Sequence, residues 1–198
     1  MITVADYGMG NLRNVRRAFE SLGQQVLVTD DSRKIGAATL LILPGVGAFG
    51  EAIARIDRLG FREHLLSHVK AGKPLLGICL GMQLLFDASE ESPGVVGLGI
   101  LKGTVKRFGN NVKVPHIGWN DVVPTRDSTL FDKSAAPGCF YFVHSYYVPN
   151  CPPRIASTGY GVEFASAVAE ANVLGVQFHP EKSQAAGMAL LSRFIRLG

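Results

Sequence analysis

The sequence offers one cysteine in a setting suited to nucleophilic attack. Cys79 lies in Gly77-Ile78-Cys79-Leu80-Gly81-Met82-Gln83, with a glycine two residues before it and another two after. Such spacing permits a tight, strained turn that presents one reactive side chain. The apolar stretch Pro74-Leu75-Leu76 predicts a buried strand before the turn, and residues 80–86 carry a helical pattern after it. A cysteine at a helix N-terminus meets the positive end of the macrodipole, which favours the thiolate. The first helical amides lack intrahelical acceptors, so the Leu80 amide can hold a developing oxyanion.

A thiol nucleophile needs a base, and the base needs a group to orient it. Gln177-Phe178-His179-Pro180-Glu181 supplies both, just past an apolar strand pattern over 173–178. In extended backbone, residues i and i+2 share a side. Pro180 biases His179 towards that geometry. Glu181 is then expected to orient the His179 imidazole towards Cys79. Singly, each residue has a plainer reading: a structural cysteine, a surface or core histidine, an acid near the start of the last helix. Together they predict a triad beyond the carboxyl ends of two strands, where open parallel sheets gather catalytic groups.

The elements that must carry this triad alternate through the first part of the chain. Residues 1–6, 25–29 and 39–43 predict strands. Helical spacing runs from Leu12 to Leu22 behind an Asn11 cap, from Phe49 to Leu59, and from Phe61 to Val69. Gly8 and Gly10 follow the first strand but lack the third glycine of a dinucleotide fingerprint. The alternation predicts an α/β fold with three layers: a mainly parallel central sheet flanked by helices, flavodoxin-like. After about residue 90, strand patterns near 100–107, 112–124, 139–148, 155–158 and 164–170 predict an added antiparallel portion. No long linker interrupts the chain, so residues 1–198 are expected to form one domain.

Composition narrows the class. Hydrophobic residues at 47% against 18% charged residues predict a packed globule rather than a disordered chain. The net charge of +4 is dispersed, and the one tight basic group, Arg13, Arg16 and Arg17, reads as a solvated helix face rather than a nucleic-acid surface. No apolar run approaches the roughly 18 residues of a membrane helix. The start of the chain lacks a basic n-region and a cleavage site, so no signal peptide is expected. Three cysteines at irregular spacing argue for a reducing cytoplasm over a disulfide framework. No Cys/His cluster has zinc spacing, so no metal is expected, nor any cofactor.

The Cys79 and His179 segments resemble the signatures of the class I, triad-type glutamine amidotransferases. Pro44-Gly45-Val46-Gly47-Ala48-Phe49-Gly50, Pro115-His116-Ile117-Gly118-Trp119-Asn120, Phe142-Val143-His144-Ser145-Tyr146 and His179-Pro180-Glu181-Lys182-Ser183 extend the resemblance over nearly the whole chain. They narrow it to the glutaminase subunits of imidazole glycerol phosphate synthase. The resemblance implies hydrolysis of glutamine through a Cys79 thioester, with His179 as proton carrier. It implies an oxyanion hole of the Leu80 amide and backbone near Gly45, Val46 and Gly47. It places Gln83, His144, Ser145 and Tyr146 around the glutamine.

It also implies a partner. Released ammonia would protonate in bulk water, so it must pass directly to a cyclase subunit, a (β/α)8 barrel on a separate chain. The cyclase combines it with a phosphorylated ribulosyl nucleotide, giving imidazole glycerol phosphate and an aminoimidazole carboxamide ribonucleotide in histidine biosynthesis. Trp119, Asn120 and Lys182 are the candidates for the docking face. The residues alone leave Trp119 open between a core position and an exposed anchor, Gln83 between a substrate contact and a polar residue of the first helical turn, and residues 144–146 between a binding wall and a half-buried strand. A stand-alone cysteine hydrolase on the same fold, or a binding module that has kept it, are the rival readings. Partner-dependent activity separates them.

Overall fold

A computed structural model describes residues 1–198. The first part alternates as its periodicity predicts: β1 (Ile2–Ala5), α1 (Leu12–Ser21), β2 (Val26–Thr29), α2 (Ser32–Ala37), β3 (Leu40–Gly45), α3 (Phe49–Arg58), α4 (Phe61–Lys70), β4 (Leu75–Cys79) and α5 (Leu80–Leu84). The second part is richer in strands: β5 (Ala88–Ser89), β6 (Thr104–Arg107), β7 (His116–Pro124), β8 (Gly138–His144), β9 (Tyr146–Tyr147), β10 (Arg154–Tyr160), β11 (Val162–Glu170) and β12 (Val173–Val176). A 3-10 turn (Pro180–Lys182) then leads into α6 (Gln184–Ile195).

Nine strands form one sheet in the order β2-β1-β3-β4-β12-β11-β10-β7-β8. The pairs β1–β2, β1–β3, β3–β4 and β4–β12 are parallel. From β12 outward every pair is antiparallel. The antiparallel portion therefore prolongs the parallel sheet instead of forming a separate one. This is the expected α/β arrangement. The short strands β5, β6 and β9 make a second, three-stranded sheet.

The central strands are apolar on both sides because both sides are covered. In β3, Leu40 and Ile42 join one hydrophobic cluster and Leu41 and Leu43 the other. Helix α1 buries Val15, Ala18 and Phe19, and Asn11 caps it by accepting from the Asn14 amide. Arg13, Arg16 and Arg17 face solvent, as the periodicity requires. No helix is long and apolar enough to cross a membrane.

Helix α2 and strand β5 are absent from the expectations. Helix α2 has six residues and Gly36 within it, too short for a periodic signal. Helix α5 ends at Leu84, short of the expected 86, so local amides rather than a long macrodipole must supply any electrostatic help. Pro180 also departs from expectation. It opens a 3-10 turn instead of continuing an extended strand, because a fixed φ suits a first helical position as well as a strand.

Parallel pairing of β3, β4 and β12 brings their carboxyl ends to one edge. Gly45 pairs in register with Cys79, and Val176 with Ile78. The turn after Cys79 passes so close to β3 that a Cβ at Gly81 would overlap the Leu43 carbonyl oxygen. Backbone cannot yield as a flexible side chain can. Gly81→Ala is therefore expected to cost about 3 kcal/mol, read as a fall in melting temperature of several degrees. An unchanged melting temperature would refute this close approach.

Candidate active site

Cys79 ends β4 with φ 56° and ψ −111°, one of three non-glycine residues at positive φ. A side chain held there is strained, and strain of this kind persists where surrounding packing fixes it. Here Gly77 and Gly81 allow the chain to double back: a Cβ on Gly77 would press on the Gly81 carbonyl. Cys79 is 6% exposed and lines a cleft of about 310 Å³. Its sulfur lies 3.9 Å from the Val143 carbonyl oxygen and 3.7 Å from Gln177 Nε2.

His179 and Glu181 stand outside the cleft lining. The His179 amide donates to the Tyr141 carbonyl, and the Ser183 hydroxyl donates to the His179 carbonyl. Glu181 Oε1 lies 2.8 Å from His179 Nδ1, with both side chains almost fully buried. The pairing that extended geometry was expected to give is delivered by the 3-10 turn. With Nδ1 engaged, Nε2 is left without a hydrogen-bond partner. Burial alone would depress the imidazole, but the Cys79 sulfur and the Glu181 carboxylate outweigh it and push His179 up to about 10.

The backbone of β3 continues past Gly45 into Val46, half out in solvent, and Gly47 at φ 100°. Val46, Gly47 and Leu80 line the cleft, whereas Gly45 lies beside Cys79 in the sheet. The Tyr7 hydroxyl, buried below, donates to the Pro44 carbonyl at 2.6 Å. Burial, followed by the neighbouring Cys79 charge, raises the Tyr7 pKa, so the phenol stays protonated.

A family model described as glutamine amidotransferase class-I matches residues 3–197. Imidazole glycerol phosphate synthase subunit HisH of Methanothermobacter thermautotrophicus is 48% identical over 198 residues, covering 100% of this chain and 98% of that protein. The chain belongs to the HisH family of class I glutamine amidotransferases. HisH of Moorella thermoacetica is 48% identical over 195 residues, covering 98% and 93%. A solved glutamine amidotransferase structure superposes with a TM-score of 0.78 at 20% identity, covering 100% of this chain and 98% of that one. That likeness shows the fold.

Within this amidotransferase, Gln83, His144, Ser145 and Tyr146 all line the cleft. Gln83 is only 4% exposed, and its Nε2 donates to the Tyr146 carbonyl and to Gln177 Oε1. Both amide hydrogens are thus used within the protein, which makes Gln83 part of the wall. Trp119 is 48% exposed, so it is not a core residue. It meets the Tyr141 ring edge-on, and Lys182 Nζ stands 5.6 Å from the same ring. Asn120 is half-buried and donates to His116 Nε2 and the Gly159 carbonyl. Its amide is engaged inward, unlike its two neighbours.

Glu91 is the cleft residue that the sequence did not reveal. It lines the site and caps α3 by accepting from the Phe49 amide at 2.7 Å. It sits in irregular chain after β5, where no periodicity marks it. An acid able to satisfy the free amides of a following or preceding helix is the only signal available there.

Proposed function

We propose that Cys79, His179 and Glu181 hydrolyse the side-chain amide of glutamine, and that the ammonia passes to the cyclase subunit of imidazole glycerol phosphate synthase. The observation that carries this reading is Cys79 at its strained turn, lining a cleft and interacting with His179 of the buried His179–Glu181 pair. The sulfur attacks the carboxamide carbon and the carbonyl electrons move onto oxygen. Amides of Leu80 and of the Gly45–Gly47 stretch receive that charge. As the tetrahedral intermediate collapses, the carbon–nitrogen bond breaks and His179 gives its proton to the departing ammonia. Water, losing a proton to His179, then opens the thioester and releases glutamate. The Glu91 carboxylate suits the α-ammonium of glutamine, and the wall of residues 143–146 bounds its other side.

The receiving subunit in this reading is a (β/α)8-barrel protein on a separate chain, docked against Trp119, Lys182 and the neighbouring Asn120. An exposed tryptophan beside a cation and a tyrosine is a fitting anchor for such a contact. The pair of subunits works in the cytoplasm, where free thiols stay reduced.

Glycine neighbours make rotation of the peptides around Val46 sterically cheap. The segment can therefore hold either an N–H or a C=O towards Cys79. Loss of one oxyanion donor typically costs about 10²–10³ in rate, so docking that selects the competent orientation would couple hydrolysis to demand. Glutamate release is measured for the chain alone, with cyclase, and with cyclase plus its nucleotide ligand. A rise of about 10²-fold or more on full assembly is expected. Equal rates in all three would overturn the coupling, and no glutamate in any would overturn the function.

A further inference from the structure

Strands β7 and β8 place His116 directly opposite His144. His116 Nδ1 and His144 Nε2 are 2.9 Å apart, and His144 Nδ1 is 2.7 Å from the Tyr146 carbonyl oxygen. A carbonyl only accepts, so His144 must carry its proton on Nδ1. In the neutral ring Nε2 is then an acceptor, and His116 must donate from its own Nδ1. His116 Nε2 in turn accepts from Asn120 Nδ2, 3.2 Å away. Each proton in the row is thereby assigned.

The surroundings hold both rings neutral. His116 stacks on Tyr160 at 4.0 Å and on Phe142 at 4.9 Å between ring centroids, and Phe108 and Phe164 pack against His144. Burial in this aromatic box pushes His116 down to about 4. Burial, helped by the neighbouring histidines and against the Tyr146 hydrogen bond, pushes His144 down to about 3.

The row ends on the cleft. The Tyr146 carbonyl that accepts from His144 also accepts from Gln83 Nε2 at 3.0 Å. The other Gln83 hydrogen reaches Gln177 Oε1, and Gln177 Nε2 reaches the Cys79 sulfur. A continuous path of buried and part-buried hydrogen bonds thus runs from Asn120, next to Trp119, to the wall of the cleft and the thiol. Nothing in the chemistry proposed for the triad uses His116.

We propose that His116 is a positioning residue for the glutamine-binding wall, holding in place the His144 ring whose Nδ1 proton holds the Tyr146 carbonyl. This rests on the reading of the cleft as the glutamine site. Without a donor at His116, His144 Nε2 would be an orphaned buried acceptor. The ring would lose one of the two hydrogen bonds that fix its plane, and its hold on the Tyr146 carbonyl would loosen. The wall would then shift away. A wall that binds ground state and transition state alike changes KM and leaves kcat nearly untouched.

His116→Phe keeps an aromatic ring for Tyr160 and Phe142 but removes the donor. In the assembled enzyme it is expected to raise the KM for glutamine about tenfold with kcat within about threefold. His116→Asn puts an amide nitrogen where Nδ1 stands and is expected to bring KM back to within about threefold of the parent. Ring ¹⁵N spectra of the unaltered protein at neutral pH are expected to show His116 and His144 both protonated on Nδ1, the rarer tautomer. Nε2 protonation of either ring overturns the proposal. So does a folded phenylalanine variant with unchanged KM, or an asparagine variant as impaired as the phenylalanine one. Should the phenylalanine variant fail to fold, His116→Leu takes its place in the kinetic comparison. The spectra do not depend on the substrate, so a failure of the glutamine reading would show in glutamate release while the tautomers stood.

Discussion

Cys79→Ala is expected to abolish glutamine-dependent synthesis by the assembled enzyme while synthesis from ammonium salts continues. Cys79 is the one cysteine that lines the cleft. Removing a covalent nucleophile typically costs a factor on the order of 10⁴ or more in kcat. The cyclase chemistry lies on another chain in our reading, and supplied ammonia bypasses the missing thioester. The substitution also removes the charge that lifts His179 against its own burial. Its imidazole pKa should fall, which ring resonances followed through a titration will show. Loss of ammonium-dependent turnover in an intact complex would break the proposed division of labour. An unchanged His179 pKa would mean that the sulfur does not face the ring.

How much of this is legible in the sequence depends on the range of each signal. The Cys79 turn is local: glycine, strand and helix pattern all lie within one short stretch, and φ 56° at Cys79 is the strain they foretell. The pairing of His179 with Glu181 is also legible there, although a 3-10 turn rather than extended backbone achieves it. A proline between two residues is compatible with both. Their approach to Cys79 depends on β12 lying beside β4, and chain order alone gives no such adjacency. It became legible only because two catalytic residue types each followed an apolar strand pattern.

The exposure of Trp119 had a different obstacle. Strand β7 alternates in burial, but His116 and Trp119 fall on opposite phases, and only the sheet face turned to the core decides which is covered. Glu91 and the protonation of the His116–His144 row were out of reach for a stronger reason. They depend on contacts between residues far apart in the chain, Phe49 with Glu91 and β7 with β8, and side-chain chemistry does not announce its partner.

Glu181→Gln is expected to lower glutamine hydrolysis by about 10²–10⁴ with the fold intact. The carboxylate is nearly inaccessible, with a side chain 1% exposed, and Oε1 is 2.8 Å from His179 Nδ1. An amide of the same shape can still turn its oxygen to Nδ1–H and keep the ring aligned. It cannot neutralise the imidazolium that forms when the ring takes up a proton. Its NH₂ would also occupy the place of Oε2, which has no hydrogen-bond partner in the protein, so a buried donor would go unsatisfied. The sign of the pH effect follows from the charge removed. Glu181 helps to raise His179, so its loss lowers the folded-state pKa, and the ring gives up its proton at a lower pH than in the parent. The alkaline limb of kcat/KM should therefore move to lower pH. Measuring that profile across pH 6–10 in the assembled enzyme separates charge from shape. A reduced rate with an unmoved alkaline limb would mean that Glu181 only holds the ring in place, and that its charge takes no part in the proton transfer to ammonia.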